Sequence, residues 1–234
     1  MDNKLTIICC IYNELNILKK NLNFIKKQFV DDPFYHEIIF IDNNSQDGSK
    51  KYLIDFKKKN KIKNIKFIFN KNNIGKGGSI KNGIKKSTGD IGVIFDIDEY
   101  KYNDIKKGFL IFLKTKCSFL IGSRIKKKKN FIYKKNYYGV ILLTQIMNFL
   151  FGLNLTDSAS ATKFFLLKHK NLFKTYTNGF NFEFEMICNF AKNKMKISEY
   201  QINYFPRTVK EGKKIKAFRD GLKILFIILI KKFI

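Results

Sequence analysis

Ile91-Gly-Val-Ile-Phe-Asp96-Ile-Asp98 is a nearly continuous apolar run that breaks into two carboxylates. Residues apolar on both alternations are covered on both faces, the pattern of an interior strand of a parallel sheet. Three similar runs precede it, at residues 5–10, 37–41 and 65–69, all rich in β-branched side chains. Between the first two, Leu15, Leu18, Leu22, Ile25 and Phe29 recur at three-to-four spacing, one stripe of an amphipathic helix. A second helix carries Tyr52, Leu53 and Phe56 and is expected to open at a Ser45 cap. A third, with Ile80 and Ile84, follows Gly75, Gly77 and Gly78. Strand–helix alternation with short connections predicts an α/β fold, a mostly parallel, doubly wound sheet with helices on both faces.

Ligands of open α/β sheets bind beyond the carboxyl ends of the strands. The polar residues collect there: Tyr12, Asn13 and Glu14 after the first strand, Asp42 after the second, residues 70–76 after the third, Asp96 and Asp98 after the fourth. Singly, Asn13 or Ser45 reads best as a turn residue; together the four strand ends define one crevice. Residues 10–14 contain no glycine, so the dinucleotide fingerprint is absent, and Gly75-Lys-Gly-Gly-Ser79 is no Walker loop. Asp96 and Asp98 alternate along an extended segment and can face one hard cation, Mg²⁺ or Mn²⁺. Two carboxylates hold such an ion best when phosphates complete its shell, which points to a nucleotide diphosphate.

Of 234 residues, 45% are hydrophobic, enough to exclude global disorder. Lys and Arg outnumber Asp and Glu 46 to 19, for a net charge of +27, a field that favours nucleic acid, phosphorylated ligands or an acidic membrane. Lys, Asn and Ile are abundant throughout, as AT-rich coding would produce, and such coding is the competing explanation of the charge. The basic residues are spread along the chain without a recognised nucleic-acid module, so no nucleic-acid partner is expected. Four cysteines without CxxC spacing and two histidines support neither a zinc site nor a disulfide framework, leaving a reducing cytoplasm as the default. The chain opens on a strand-like run, which reads as no secretory signal. Residues 136–156 lack charge but carry Thr144, Gln145, Asn148 and Asn154, and read as a largely buried helix rather than a span. Lys126 to Lys129 form a basic loop, readable as a solvated run or as a cover over anionic groups.

Several motifs in order resemble glycosyltransferase family 2, which has the GT-A fold. They are Tyr12-Asn-Glu14, Asp42-Asn-Asn-Ser-Gln-Asp47-Gly48-Ser49, the run from Asn73 through Gly75 and Gly77 to Gly83, and Thr88-Gly89-Asp90 continuing to Asp96-Ile-Asp98. The second half resembles the branch that glycosylates polyprenyl phosphates, the dolichyl-phosphate mannose or glucose synthases. The matching segments are Gly122-Ser-Arg124, Asp157-Ser-Ala-Ser160-Ala-Thr-Lys163, Gly179-Phe-Asn-Phe-Glu183-Phe-Glu185, Tyr204-Phe-Pro-Arg207 and Gly212-Lys-Lys214. Cys10, Asn43 and Ala161 depart from the usual Pro, Asp and Gly, and Tyr100 stands where mannose synthases often carry a metal-holding Gln.

The resemblance implies a single GT-A domain over residues 1–214. Residues 1–100 form its nucleotide-sugar half, residues 101–214 its acceptor half, and 215–234 an amphipathic tail. It implies transfer with inversion from a nucleotide-diphosphate sugar to a polyprenyl phosphate; extension of a cell-surface glycan is the alternative. Tyr12, Glu14, Asp42, Lys76 and Asp96 would bind the donor, Asp96 and Asp98 the metal, and Asp98 and Arg124 would be catalytic. Arg124, Lys163 and Arg207 would hold the acceptor phosphate, which is already ionised and needs no strong base. A sugar hydroxyl would need one, with Glu183 and Glu185 the candidates.

In the tail, Phe218, Leu222, Leu225, Phe226, Leu229 and Phe233 form one helical stripe flanked by Lys216, Arg219, Lys223, Lys231 and Lys232. It is expected to lie on an anionic membrane surface, placing the protein peripherally on the cytoplasmic face. Docking on the sheet, or on another copy, is the competing use of the stripe.

Overall fold

A computed structural model describes residues 3–31, 35–98, 102–125, 134–203 and 217–233. The apolar runs form β1 (Leu5–Ile11), β2 (Tyr35–Asp42), β3 (Ile65–Phe69) and β4 (Ile91–Phe95). The intervening segments form α1 (Leu15–Asp31), α2 (Ser49–Lys59) and α3 (Gly75–Lys86). Then follow α4 (Tyr102–Thr115), β5 (Phe119–Ser123), α5 (Lys134–Phe151), β6 (Lys163–Leu166), a 3₁₀ segment (Leu167–Phe173), α6 (Phe182–Lys192), β7 (Ile197–Gln201) and α7 (Ala217–Phe233).

One seven-stranded sheet runs β3-β2-β1-β4-β6-β5-β7. All neighbours are parallel except β6, which is antiparallel to β4 and β5. That reversal matters for the site. Ile94 near the end of β4 pairs with Lys163 at the start of β6, and Lys163 also pairs with Ile121 near the end of β5. The loop entering β6 therefore arrives at the rim where the parallel strands finish.

Strand alternation divides the core. Leu5, Ile7, Cys9 and Ile11 of β1 face one layer, with Leu18, Leu22, Ile25 and Phe29 of α1 and buried residues of α2 and α4. Ile8 faces the other, with Ile80 and Ile84 of α3, Met147 of α5, the buried face of α6 and Ile224 and Ile228 of α7.

Two expectations are corrected. Ser45 does not cap α2: Gly48 precedes the first turn, and Asp47 Oδ1 accepts from Ser49 N–H at 2.9 Å instead. The Ser45 hydroxyl accepts from Asn13 N–H at 3.0 Å, across to the loop after β1. The segment read as a largely buried helix is helical as α5, but among the α5 residues whose burial is described only Thr144 and Met147 are buried, while Tyr138, Leu142 and Phe149 stand exposed. The tail stripe is turned outward, opposite the residues that seat the helix. Ile224, Ile227 and Ile228 are buried, whereas Leu222, Phe226, Leu229 and Phe233 face outward. No helix among the described residues is long and apolar enough to cross a membrane.

Close packing of α3 on the sheet depends on Gly83. A Cβ there would stand 2.6 Å from Ile8 Cγ2 and 2.7 Å from Ile41 Cδ1. Alanine favours a helix by about 1 kcal/mol over glycine, but overpacking a rigid β-branched core costs about 1–3 kcal/mol. The clash should prevail: Gly83→Ala should lower unfolding free energy by about 1–2 kcal/mol in urea denaturation, although helix propensity alone predicts a gain.

Candidate active site

The loops after β1 and β2 are stapled together. Asn13 N–H donates to Ser45 Oγ, Gln46 N–H to Asn13 Oδ1, Glu14 N–H to Ser49 Oγ and Leu15 N–H to Asp47 Oδ2, all at 2.9–3.0 Å. Asn13 adopts φ 52°, which its short polar side chain tolerates. Tyr12 and Glu14 are half-buried on this rim. Asp42 is fully buried: its Oδ2 accepts from Ser45 N–H at 3.2 Å, while Oδ1 has no hydrogen-bond partner among the described residues. An unpaired buried carboxylate oxygen is costly, and a ligand N–H or O–H would satisfy it.

Asn43 ties the next loop. Its Oδ1 accepts from Asn70 Nδ2 at 3.2 Å and Ile74 N–H at 3.0 Å, and its Nδ2 donates to Asn73 Oδ1 at 2.8 Å. The chain then enters α3 through Gly75 at φ +77°, where a Cβ would lie 2.3 Å from the Asn178 carbonyl. Gly77 N–H donates to that same carbonyl at 2.7 Å. The glycine-rich start of α3 is thereby pressed against the segment leading into α6, and Lys76 is delivered between two carboxylates.

Lys76 Nζ lies 2.7 and 2.8 Å from the two oxygens of Asp96 and 2.7 Å from Glu183 Oε1. The other Glu183 oxygen is 2.7 Å from Lys163 Nζ, which also donates to the Ser160 carbonyl. Lys163 is fully buried, so in this arrangement it acts on its neighbours rather than facing a ligand. The result is an alternating series, Asp96–Lys76–Glu183–Lys163.

The energetics follow from burial opposed by pairing. Burial pushes Glu183 upward, but the charges of Lys163 and Lys76 prevail and lower it to about 2. Burial favours neutral Lys76, yet Asp96 and Glu183 raise its pKa well above the ordinary lysine value. Burial lowers Lys163, with Glu183 opposing. Asp96 is raised, by burial first and also by Asp98 and Glu183, with Lys76 opposing. Burial and then Asp96 likewise push the Cys9 thiol well up, leaving it packing material and not a nucleophile.

Arg124 occupies a second network. Its backbone N–H and Nε donate to Asp157 Oδ2 at 3.0 and 2.7 Å, and Nη2 donates to Oδ1 at 2.9 Å. Burial of Asp157 raises its pKa, but Arg124 overcomes this and holds it low. Asp157 N–H and Thr156 N–H donate to the Glu199 carboxylate at 2.9 and 2.8 Å, as does Thr156 Oγ1 at 2.9 Å. The nearby Ser160 hydroxyl is buried without a partner among the described residues. Sequence reasoning missed Glu199, which lies outside every motif; only its polarity within a strand marks it.

Glu185 is placed elsewhere. Its oxygens accept from Tyr176 N–H, Thr177 N–H and Thr177 Oγ1 at 2.7–3.0 Å, and Lys231 of α7 lies 3.0 Å away. The two candidate bases thus belong to different networks. Arg207, Tyr100, the 126–129 loop and the 204–214 motifs lie outside the described residues.

The residues present fit a divalent cation supported by phosphate. Asp96 already holds a cation, the Lys76 ammonium, on both oxygens, and Asp98 is near enough to raise its pKa. Among the described residues no group of three or more His, Cys, Asp or Glu side chains is arranged to hold a metal. Remaining ligands would have to come from a bound diphosphate.

Sheet order, rim and acidic turn define an α/β protein of the GT-A fold. The sequence profile of glycosyl transferase family 2 matches residues 6–175, and the chain belongs to that family of glycosyltransferases. It is 26% identical to dolichyl-phosphate beta-glucosyltransferase of Dictyostelium discoideum over 94% of this chain and 71% of the relative. Identity to the Homo sapiens protein of that name is 25%, over 96% and 74%. Its fold matches glucosyl-3-phosphoglycerate synthase of Mycobacterium tuberculosis, solved with Mn²⁺, uridine diphosphate and phosphoglyceric acid. That match has a TM-score of 0.71 at 13% identity, covering 99% of this chain and 79% of the other.

Depression of Glu183 predicts an acid-sensitive fold. A carboxylate with a lowered folded pKa stabilises above its unfolded value, and that stability is lost as pH falls through the folded value. Wild type should lose a few kcal/mol between about pH 4.5 and pH 2 through this group. Glu183→Gln should flatten the decline while costing about 3–5 kcal/mol at neutral pH, because the fully buried Lys163 loses its carboxylate and Lys76 loses one of its two. Urea unfolding across pH checks both.

Proposed function

We propose that this glycosyltransferase moves a sugar, with inversion, from a nucleotide-diphosphate sugar to a polyprenyl phosphate. The observation that carries the choice of acceptor is the state of the two candidate bases. Glu183 is held at about 2 between two lysines, and Glu185 is committed to a loop and to α7. Neither is suited to deprotonate a sugar hydroxyl, whereas an ionised phosphate attacks without a base. The names of the dolichyl-phosphate relatives agree with this acceptor.

Asp42, with its unpaired Oδ1, would take an N–H or O–H of the nucleoside, and Tyr12 would pack beside it, with Glu14 on the same rim. Lys76 would meet the diphosphate. A Mg²⁺ or Mn²⁺ held by Asp96, Asp98 and the donor phosphates would supply neutralisation of the leaving group. Arg124, oriented by Asp157 and Glu199, would align the acceptor phosphate beside the Ser160 hydroxyl, with Arg207 assisting and Lys163 acting through Glu183. Attack in line on the anomeric carbon forms the new C–O bond as the bond to the nucleoside diphosphate breaks.

A panel of nucleotide sugars with Mn²⁺ or Mg²⁺, with and without polyprenyl phosphate, tests this reading. Nucleoside diphosphate release should require the lipid phosphate, and the glycosylated product should partition into organic solvent. Asp98→Ala should reduce transfer at least a hundredfold with an unchanged circular dichroism spectrum. Product that remains aqueous and appears only with a glycan acceptor would replace the lipid phosphate by a glycan.

Peripheral attachment to the cytoplasmic face of a membrane belongs to the same proposal. Leu222, Phe226, Leu229 and Phe233 are 54, 66, 39 and 77% exposed on α7, while Phe149 of the adjoining α5 is 88% exposed. Lys223 and Lys232 are exposed beside the stripe and can meet anionic headgroups, each worth about 1 kcal/mol near such a surface. Because the opposite face of α7 is core, removing the helix would unfold its surroundings. Substitution of Phe226 and Phe233 by Ser is the cleaner test: anionic liposomes should pellet wild type and leave the variant in the supernatant, with soluble-donor binding unchanged.

A further inference from the structure

We propose that Lys76 is an exchangeable counter-cation of the metal site. It neutralises Asp96 in the donor-free protein and must release that carboxylate before a divalent cation can bind, so that cation and nucleotide enter together. The inference rests on the reading of Asp96 and Asp98 as the metal site of a nucleotide-sugar transferase.

Two separate observations carry it. First, the Lys76 ammonium contacts both Asp96 oxygens, at 2.7 and 2.8 Å, and its side chain is only 13% exposed. A cation approaching Asp96 meets another cation already on the carboxylate, and two positive charges repel strongly where water is scarce. Second, no cluster of three or more metal-ligating side chains exists among the described residues, so those residues alone supply too few ligands for a hard divalent ion. Metal without nucleotide therefore faces a competitor and an incomplete shell.

A nucleoside diphosphate removes both obstacles. Its phosphates complete the shell of the metal, and their negative charge gives Lys76 a replacement partner. Lys76 need not leave its place to make the exchange, because Glu183 Oε1 continues to hold it at 2.7 Å. Glu183 is in turn fixed by Lys163 at 2.7 Å, so the pivot stays in position while the Asp96 contact opens. Coupling of this kind is reciprocal: nucleotide tightens metal binding, and metal tightens nucleotide binding by the same factor.

The test measures Mn²⁺ binding by the loss of the free-ion electron paramagnetic resonance signal, with and without uridine diphosphate, and needs no acceptor or turnover. In wild type, uridine diphosphate should tighten Mn²⁺ binding at least tenfold. Lys76→Met should bind Mn²⁺ alone at least fivefold more tightly than wild type, and its enhancement by nucleotide should shrink. Lys76→Arg, which keeps the charge, should bind Mn²⁺ alone as weakly as wild type. If Lys76→Met fails a thermal-melt check of folding, Lys76→Gln makes the same comparison. Should the neutral variant bind Mn²⁺ alone no more tightly than wild type, while wild type still binds it with nucleotide, the exchange role of Lys76 is wrong and the metal site stands. If wild type takes up no Mn²⁺ even with uridine diphosphate, the metal site falls and the exchange role with it.

Discussion

Between Asp96, Lys76, Glu183 and Lys163, charges of alternating sign are held 2.7–2.8 Å apart, in a series that runs from the half-buried rim into the interior. Each ion resists burial, and each is tolerated because the next one compensates it. The four side chains come from the turn after β4, from α3, from α6 and from the start of β6. Two helices of one layer and two strands of the sheet therefore meet at one electrostatic seam. Removing one member leaves a buried charge uncompensated, so the seam constrains its members jointly. The backbone prepares the meeting: the Asn178 carbonyl receives Gly77 N–H, and Gly75 allows the two segments to touch.

A second seam, Arg124–Asp157–Glu199, runs along the other half of the rim. It is built differently. A bidentate guanidinium–carboxylate pair fixes direction as well as distance, and Glu199 anchors the loop from below through two backbone N–H groups. The antiparallel β6 separates the two seams and belongs to both sides, since its entry loop contains Asp157 and Ser160 and its first residue is Lys163.

Local patterns in the sequence located most of the elements. The runs at 65–69 and 91–95 became β3 and β4 with those limits, and Leu18, Leu22, Ile25 and Phe29 became the buried stripe of α1. Burial on two faces and helical spacing are properties of neighbouring residues, so they are visible in a short window. The Ser45 expectation failed because α2 starts only at Ser49, where Asp47 takes the N–H, and the Ser45 hydroxyl is engaged by Asn13 N–H from another loop. The site was legible as residue types but not as partners. Lys76 and Glu183 are distant in sequence, and only the placement of β6 and α6 joins them. Glu183 and Glu185 are two residues apart on a helix, so they face different neighbours. The motif that names both cannot tell their roles apart.

Helix α7 has a consequence beyond its place in the core. Ile224 and Ile228 seat it in the apolar layer, Lys231 reaches Glu185, and Lys232 donates to the Leu150 carbonyl at 2.5 Å. Its outer residues are consequently displayed on a scaffold that is already folded. A tail that orders only on arrival must surrender chain entropy at the moment of contact. A preformed ridge makes no such sacrifice, and its hold on a lipid surface would grow with apolar area and local charge alone. Attachment on those terms is graded and reversible, suited to a catalyst that visits an interface without residing in it.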